Sequence, residues 1–551
     1  MRKKLLASLF VAFAALTASA QDAPRAGETI EVSIVNVDVV VTDRAGNRVR
    51  GLKKEDFELR ENGKVQPISN FAEYVSRAEQ GTLTADVAEG SQAQTAPREK
   101  RTLLIFFEQL QLTKLAADSF ENALRETIDR LMGPGDEVSV VIWSPSETRH
   151  VEFTSDRTKI ATAIADIKQE ALGARPDMKS VQRREIADRK ALAEMGDIPT
   201  PAGTDPLGDV QLPMLMAYNE MVVRVGAINS AIHSMAGAEG RKMLLLATNR
   251  LGQVAGAEFA YETGVKEITP YLKTRFNTDR LMRSVIDNAN ANGVTIYPVN
   301  PPGLAKDTGD TEYYDHESLD LVTSRGGIEH LTLLNESISL EKIAKETGGL
   351  MAIGPKRIVD LLPRIVSDAS DYYSLAYRVT FSGADRARNI TVKTRNPEYQ
   401  VRTRTQFVEK SDETRMRDRL QSTLFRVSQN GATIKIRAAA REVKKGRNTS
   451  TMQVRVRIPI ADLTLLPKGN GKHGGSFAVY VGAASDLDEL SEVTRKTQQF
   501  EVTESELAQA RTGHFTYDVN VDVRQKSKYL AVGVYDETAK TFGVARVELT
   551  K

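Results

Sequence analysis

Cysteine is absent from all 551 positions. That one absence removes disulfides, thiolate metal sites and cysteine nucleophiles together, leaving core burial and sheet pairing to hold the chain. Tryptophan occurs once, at Trp143, and histidine six times. No two histidines stand at i,i+4 or in H-E-x-x-H, so zinc-protease spacing is missing. A G-x-S-x-G elbow, a G-x-x-x-x-G-K-[ST] loop and a G-x-G-x-x-G after the first buried strand are missing as well. An excess of one charge is lacking too: 75 Lys and Arg face 73 Asp and Glu. A balanced chain gives no electrostatic case for nucleic acid or an anionic membrane as partner.

Long apolar runs are also scarce, and the exception is at the start. Arg2, Lys3 and Lys4 precede the apolar stretch Leu5 to Leu16, and Ala18-Ser19-Ala20 supplies small residues before Gln21. This pattern predicts a secretory signal peptide over residues 1–20, cleaved after Ala20, and hence a secreted or periplasmic protein. The stretch is short of a bilayer span, and the missing cysteine speaks against a lipid-anchored form. Three of the 75 basic residues fall in this segment, so the remainder carries 72 basic against 73 acidic side chains. A cysteine-free exported chain of this size suggests a bacterial source.

What is present reads as several domains, because 551 residues exceed one ordinary core. From Ile30 to Val41 apolar residues alternate, and turns at Asp43 to Asn47 and at Asn62-Gly63 predict hairpins over residues 28–75. Residues 76–100 are polar and aperiodic and read as a linker. Leu103 to Phe107 form an apolar run without alternation, as in a strand buried on both faces. Helical spacing follows through Leu115, Phe120, Leu124, Ile128 and Leu131, then the Gly133-Pro134-Gly135 stop and a second buried strand, Val138 to Trp143. Strand, helix and parallel strand make a βαβ unit, whose ligand position is the loop at the carboxyl end of the first strand.

That segment resembles the opening of a von Willebrand factor type A (VWA) domain, in the bacterial VWFA-related group common in Acidobacteria. Gly240-Arg241-Lys242 leading into Met243 to Asn249, and Gly293 to Val299, are similar to later strands of the family. The segment from Val41-Thr42-Asp43 to Glu61-Asn62-Gly63 resembles its preceding β domain. The resemblance covers roughly residues 30–410. The expected fold is α/β plus all-β. A Rossmann-like, doubly wound VWA-like domain (101–371, with insertions near 169–210 and 301–335) is inserted in or follows a small β-sandwich. Strands over 372–410 pair with the N-terminal β domain, since isolated hairpins are marginal. A charged linker helix at 411–425 and an antiparallel β-sandwich over 426–551 complete the chain.

The resemblance implies a site in which Asp-x-Ser-x-Ser, a loop Thr and a later Asp hold Mg²⁺, whose open octahedral position takes a partner's carboxylate. Here Glu108 occupies the first Asp position, Leu110 and Leu112 the Ser positions, and Asn249 the later Asp position. Thr113 follows directly, and Thr204 is a candidate loop Thr. Apolar side chains cannot coordinate Mg²⁺, so Glu108, Thr113 and Asn249 are expected to form a degenerate binding loop without metal, Leu110 and Leu112 turning inward. The acidic run Asp307 to Glu317 lacks Ca²⁺-loop register. The leading expectation is a non-enzymatic module that binds a protein partner or partners, without cofactor. A Mg²⁺-dependent adhesion protein, and a periplasmic enzyme or solute-binding protein using the same crevice, remain as alternatives.

Overall fold

The computed structural model describes residues 32–75, 99–110, 112–173, 208–262, 268–301, 325–380, 384–427, 431–485 and 491–549. The expected signal peptide, Thr204, the acidic run, and most of the expected linker and of both expected insertions lie outside these residues.

Four strands come first among the described residues: β1 Val32–Thr42, β2 Phe57–Glu61, β3 Lys64–Gln66 and β4 Ile68–Tyr74. Period-2 alternation gives each a buried face, and their partners come from some 300 residues later. β1 and β4 flank β11 (Tyr372–Thr380), Val37 opposite Leu375 and Phe71 opposite Leu375 from the other side. β2 pairs with β12 (Arg386–Thr394), Leu59 opposite Val392. With β13 (Gln400–Arg402) and β14 (Gln406–Glu409) this makes two four-stranded sheets. Val37, Val39, Leu59, Leu375, Tyr377 and Val392 pack in the core they share.

Between these strands the chain runs through β5 Arg101–Glu108, α1 Lys114–Leu131, β6 Glu137–Trp143, β7 Thr148–Thr154, α2 Arg157–Gly173 and α3 Gly208–Ser234. It continues through β8 Arg241–Ala247, two short helices (α4 Ala257–Glu262, α5 Pro270–Arg275), α6 Asp279–Asn292, β9 Val294–Asn300, α7 Arg325–Thr347, β10 Ala352–Ile353 and α8 Pro355–Ser370. The sheet order is β7-β6-β5-β8-β9-β10, parallel except for the edge strand β7. Counted along the chain this is 3-2-1-4-5-6, the doubly wound order, whose switch point lies between β5 and β8. Leu103, Ile105 and Phe107 feed one face with α1, α2 and α8, while Leu104 and Phe106 feed the other with α3, α6 and α7. The turn after α1 is tied by Asp136, which accepts from the backbone N–H of Arg101 and of Gly133 at 2.9 Å each.

Some expectations are corrected. Leu115 is 78% exposed, because the buried stripe of α1 runs through Ala117, Phe120, Leu124, Ile128 and Leu131, and Leu115 falls outside that arc. Residues 169–173 end α2 rather than opening an insertion, and α7 starts at Arg325, inside the second expected insertion. The helix at the expected linker, α9 (Asp412–Leu424), buries Met416, Leu420 and Leu424 in a core shared by α3, α6 and residues of the last sandwich such as Ala478 and Tyr535. Charge marks only its outer face.

Eight strands follow. β15 Arg437–Lys445, β16 Thr449–Pro459 and β20 His514–Arg524 form one antiparallel sheet; β17 Leu466–Gly469, β18 Lys472–Ala484, β19 Thr494–Thr503, β21 Tyr529–Asp536 and β22 Phe542–Glu548 form the other. Val454, Val456, Phe477, Val479, Val519 and Val532 fill the space between them. No helix among the described residues is long and apolar enough to cross a membrane.

Candidate functional site

Parallel register brings the strand ends at the switch point level with one another. Glu108 lies opposite Trp143, and Phe107 opposite Ala247, so Glu108 and Thr248 end neighbouring strands. Alternation then decides direction. Leu104 and Phe106 face the α3 side, so Glu108 points there too, as Thr248 does after Leu244 and Leu246. The side chain that meets them comes from α3. Its inward stripe is Ala217, Met221, Ile228 and Ala231, and Arg224 sits on that stripe with no solvent exposure at all.

The contacts are close. Arg224 Nε donates to Glu108 Oε1 at 2.7 Å, and Thr248 Oγ1 donates to Glu108 Oε2 at 2.6 Å. Arg224 Nη2 donates to Glu220 Oε1 one turn earlier at 2.8 Å. Arg250 places Nη1 3.6 Å from Glu108 Oε1 and is mostly withdrawn from water. Trp143 lies under the group, with Arg224 Cζ 5.7 Å from its ring centroid. Burial pushes the Glu108 pKa up, but the charges of Arg224 and Arg250 and the Thr248 hydroxyl outweigh it and hold the carboxyl below its ordinary range. Burial likewise works against the charge on Arg224, and Glu108 and Glu220 overcome it. Both groups are ionised at neutral pH: a buried pair in which each ion supplies the other's solvation.

The residues expected from the sequence are distributed differently. Glu108 and the Thr248-Asn249 turn come together; Thr113 does not join them. Its Oγ1 caps α1, accepting from the backbone N–H of Ala116 at 3.3 Å. Leu110 and Leu112 are buried on the opposite face, with Ala117 and Phe120. Asn249 Oδ1 is buried without a hydrogen-bond partner among the described residues, as is Arg224 Nη1. As a ligand set for a hard divalent ion these residues do not fit: both carboxylate oxygens are engaged, and a guanidinium already supplies the positive charge that a cation would bring. Sequence reading missed Arg224, although one signal was available. A lone charge at the i+3 position from Met221, on a stripe otherwise made of Ala, Met and Ile, is either exposed by a break in the stripe or paired inside.

Fold and site together define a mixed α/β and all-β protein whose parallel sheet carries an internal ion pair at its switch point. No family model matches this sequence, and no curated protein does. Solved structures similar to it include an aerotolerance-related membrane protein from Bacteroides fragilis, at 11% identity and a TM-score of 0.21, over 48% of this chain and 98% of that one. The vWF domain of the type V pili tip protein from Porphyromonas gingivalis is similar at 12% identity and a TM-score of 0.24, over 49% of this chain and 95% of that one. Likenesses this distant carry no argument about what the chain does.

Proposed function

We propose that the chain is an exported, non-enzymatic protein-interaction module in which the VWA-like α/β unit, inserted in the first sandwich, works without a divalent metal. The sequence resemblance and the doubly wound strand order support the class, since the carboxyl-end loops of such a sheet are where it meets a ligand. The observation that carries the metal-free reading is the engagement of both Glu108 oxygens by Arg224 and Thr248. In a metal-dependent adhesion site the ion is the bridge to the partner's carboxylate. Here the cation is part of the protein and fully enclosed, so the rim formed by Arg250, Asn249 and the start of α1 makes the contact by shape and hydrogen bonding.

The test is capture of binding proteins from cell-envelope extract on the immobilised mature chain, in parallel with EDTA and with Mg²⁺. The proposal expects the same proteins in both arms, released by a competing soluble copy of the chain. Capture that appears only with Mg²⁺ contradicts it. Turnover of a substrate by the purified chain would contradict the non-enzymatic reading instead.

A further inference from the structure

A second site lies at the other end of the same sheet. Between the start of β8, the amino end of β9, the β13–β14 connection and α9 is an open cleft of about 430 Å³, within the range of small-molecule sites and at a junction of structural units, where such sites concentrate. Seven Lys and Arg side chains line it against three Asp and Glu. Since β8 has seven residues, the cleft and the Glu108 pair are separated by roughly 20 Å at the usual rise per strand residue.

Several of these cations are already matched. Arg402 makes a two-point contact with Asp368, both distances 2.8 Å, and Lys410 pairs with Asp418 and Asn292. Three others are matched only in part: Arg241 lies over the Tyr372 ring, Cζ 4.2 Å from its centroid, and Arg404 lies 5.6 Å from that of Phe407. Among the described residues, Lys242 Nζ hydrogen-bonds only to the Ala238 carbonyl at 3.1 Å, and Arg404 Nη2 to the Asn36 carbonyl at 2.7 Å. Arg241 is 94% withdrawn from solvent (6% exposed), and its Nε and Nη1 have no hydrogen-bond partner among the described residues. It forms an ion pair with Asp38 at 3.7 Å, beyond hydrogen-bond range. The Thr403 hydroxyl, on the same wall, is also buried without a hydrogen-bond partner among the described residues.

Lys242 and Arg404 converge. A Cβ placed on Gly293 would lie 3.3 Å from Arg404 Nη1 and 4.0 Å from Lys242 Nζ, so the glycine leaves open the space over which the two cations meet. With no carboxylate in hydrogen-bond contact with either among the described residues, they repel one another, although Asp38 acts favourably on Arg404. Burial together with the charges of Lys410 and Arg404 pushes the Lys242 pKa down to about 7, against an opposing pull from Asp418. Orphaned donors and converging positive charge around one small cavity select an acceptor-rich, negatively charged occupant.

We infer that the cleft bounded by Arg241, Lys242, Gly293, Thr403 and Arg404 binds a small molecule carrying two or more negative charges of the carboxylate or phosphate class. The occupant bridges Lys242 and Arg404 across Gly293 and takes hydrogen bonds from Arg241 and Thr403. This site is independent of the carboxyl-end rim and of the partner proposed there.

The test is calorimetric titration of the full mature chain, in a buffer free of phosphate and carboxylate, with pyrophosphate and with citrate as probes. At least one is expected to bind saturably at one site. Lys242→Gln and Arg404→Gln, each checked for wild-type melting, are expected to weaken it at least about tenfold, the scale of losing one charge-assisted hydrogen bond. The pyrophosphate and citrate arms separate a phosphoryl from a carboxylate ligand. Should the variants fold poorly, amine-reactive labelling of the wild-type chain with mass-spectrometric readout replaces them, and the bound probe is expected to protect Lys242. No saturable heat with either probe overturns the inference. So does binding that survives both substitutions or leaves Lys242 labelling unchanged.

Discussion

Arg224 donates from Nε to Glu108 Oε1 at 2.7 Å, and neither side chain is more than 1% exposed. One comes from the centre of a helix and the other from the end of the first parallel strand, 116 residues apart. An isolated charge in that position would be several kcal/mol out of balance, so each residue is tolerable only in the presence of the other.

Removing one partner should therefore be costly. Arg224→Met and Glu108→Leu are each expected to lower unfolding free energy by roughly 3–5 kcal/mol in urea titration, while the double substitution costs much less than their sum. Single losses below about 1 kcal/mol, the range of exposed pairs, would show that the pair is not sealed from solvent.

The same pair sets an acid limit. Because the Glu108 pKa is held below its ordinary value of 4.5, its contribution is fully present above the unfolded value and disappears as pH falls through the folded one. The stability gap between wild type and Glu108→Gln should be constant in the neutral range and shrink in acid. Chemical denaturation at several pH values measures it, and a gap that stays flat into strong acid contradicts the assignment.

Asp368 on α8 joins the first sandwich to the α/β unit. It is fully buried and accepts from Tyr297 Oη at 3.0 Å and from both Arg402 nitrogens, with Arg48 also in contact. Asp368→Asn leaves two guanidinium groups without their carboxylate, and a loss of roughly 3–5 kcal/mol is expected. Limited proteolysis should then cut near the β13–β14 connection before the sheet core. Unchanged melting and cleavage would rule out this residue as the joint.

Lys242 gives the same pH sign in a higher window. With its pKa down to about 7 from 10.5, the unfolded chain binds more protons between those values, so stability rises with pH across that window. Wild type should gain on Lys242→Met as pH is raised from neutral towards the ordinary lysine range, read as the difference in melting temperature. A difference that is constant, or falls, contradicts a desolvated amine.

Where a strand is buried on both faces, the sequence displays it without ambiguity, as in Leu103 to Phe107, and the hairpin turn at Asn62-Gly63 is equally plain. β7 was not legible. Its Thr148–Thr154 carries His150 and Glu152 on an edge, so its apolar signal is only a half-buried Val151 and a buried Phe153. α2 escaped for another reason: its buried stripe of Ile160, Ala163, Ile164, Ile167 and Ala171 is rich in alanine and contrasts little with its flanks. Glu108 could be placed from the resemblance, whereas the resemblance carries no position for Arg224, and its place on an apolar stripe left open whether it is exposed or paired inside until the tertiary structure turned it in. Thr113 shows the reverse error: a hydroxyl next to a candidate site was doing the work of a helix cap.

The most direct test of the closed, metal-free switch point is calorimetric titration of the purified mature chain with Mg²⁺ and Mn²⁺, alongside melting with and without EDTA. The engaged Glu108 carboxylate predicts no saturable heat with either ion and an unchanged melting temperature. Saturable binding that Glu108→Gln abolishes in a variant still folded would contradict it, and would place an ion where Arg224 now stands.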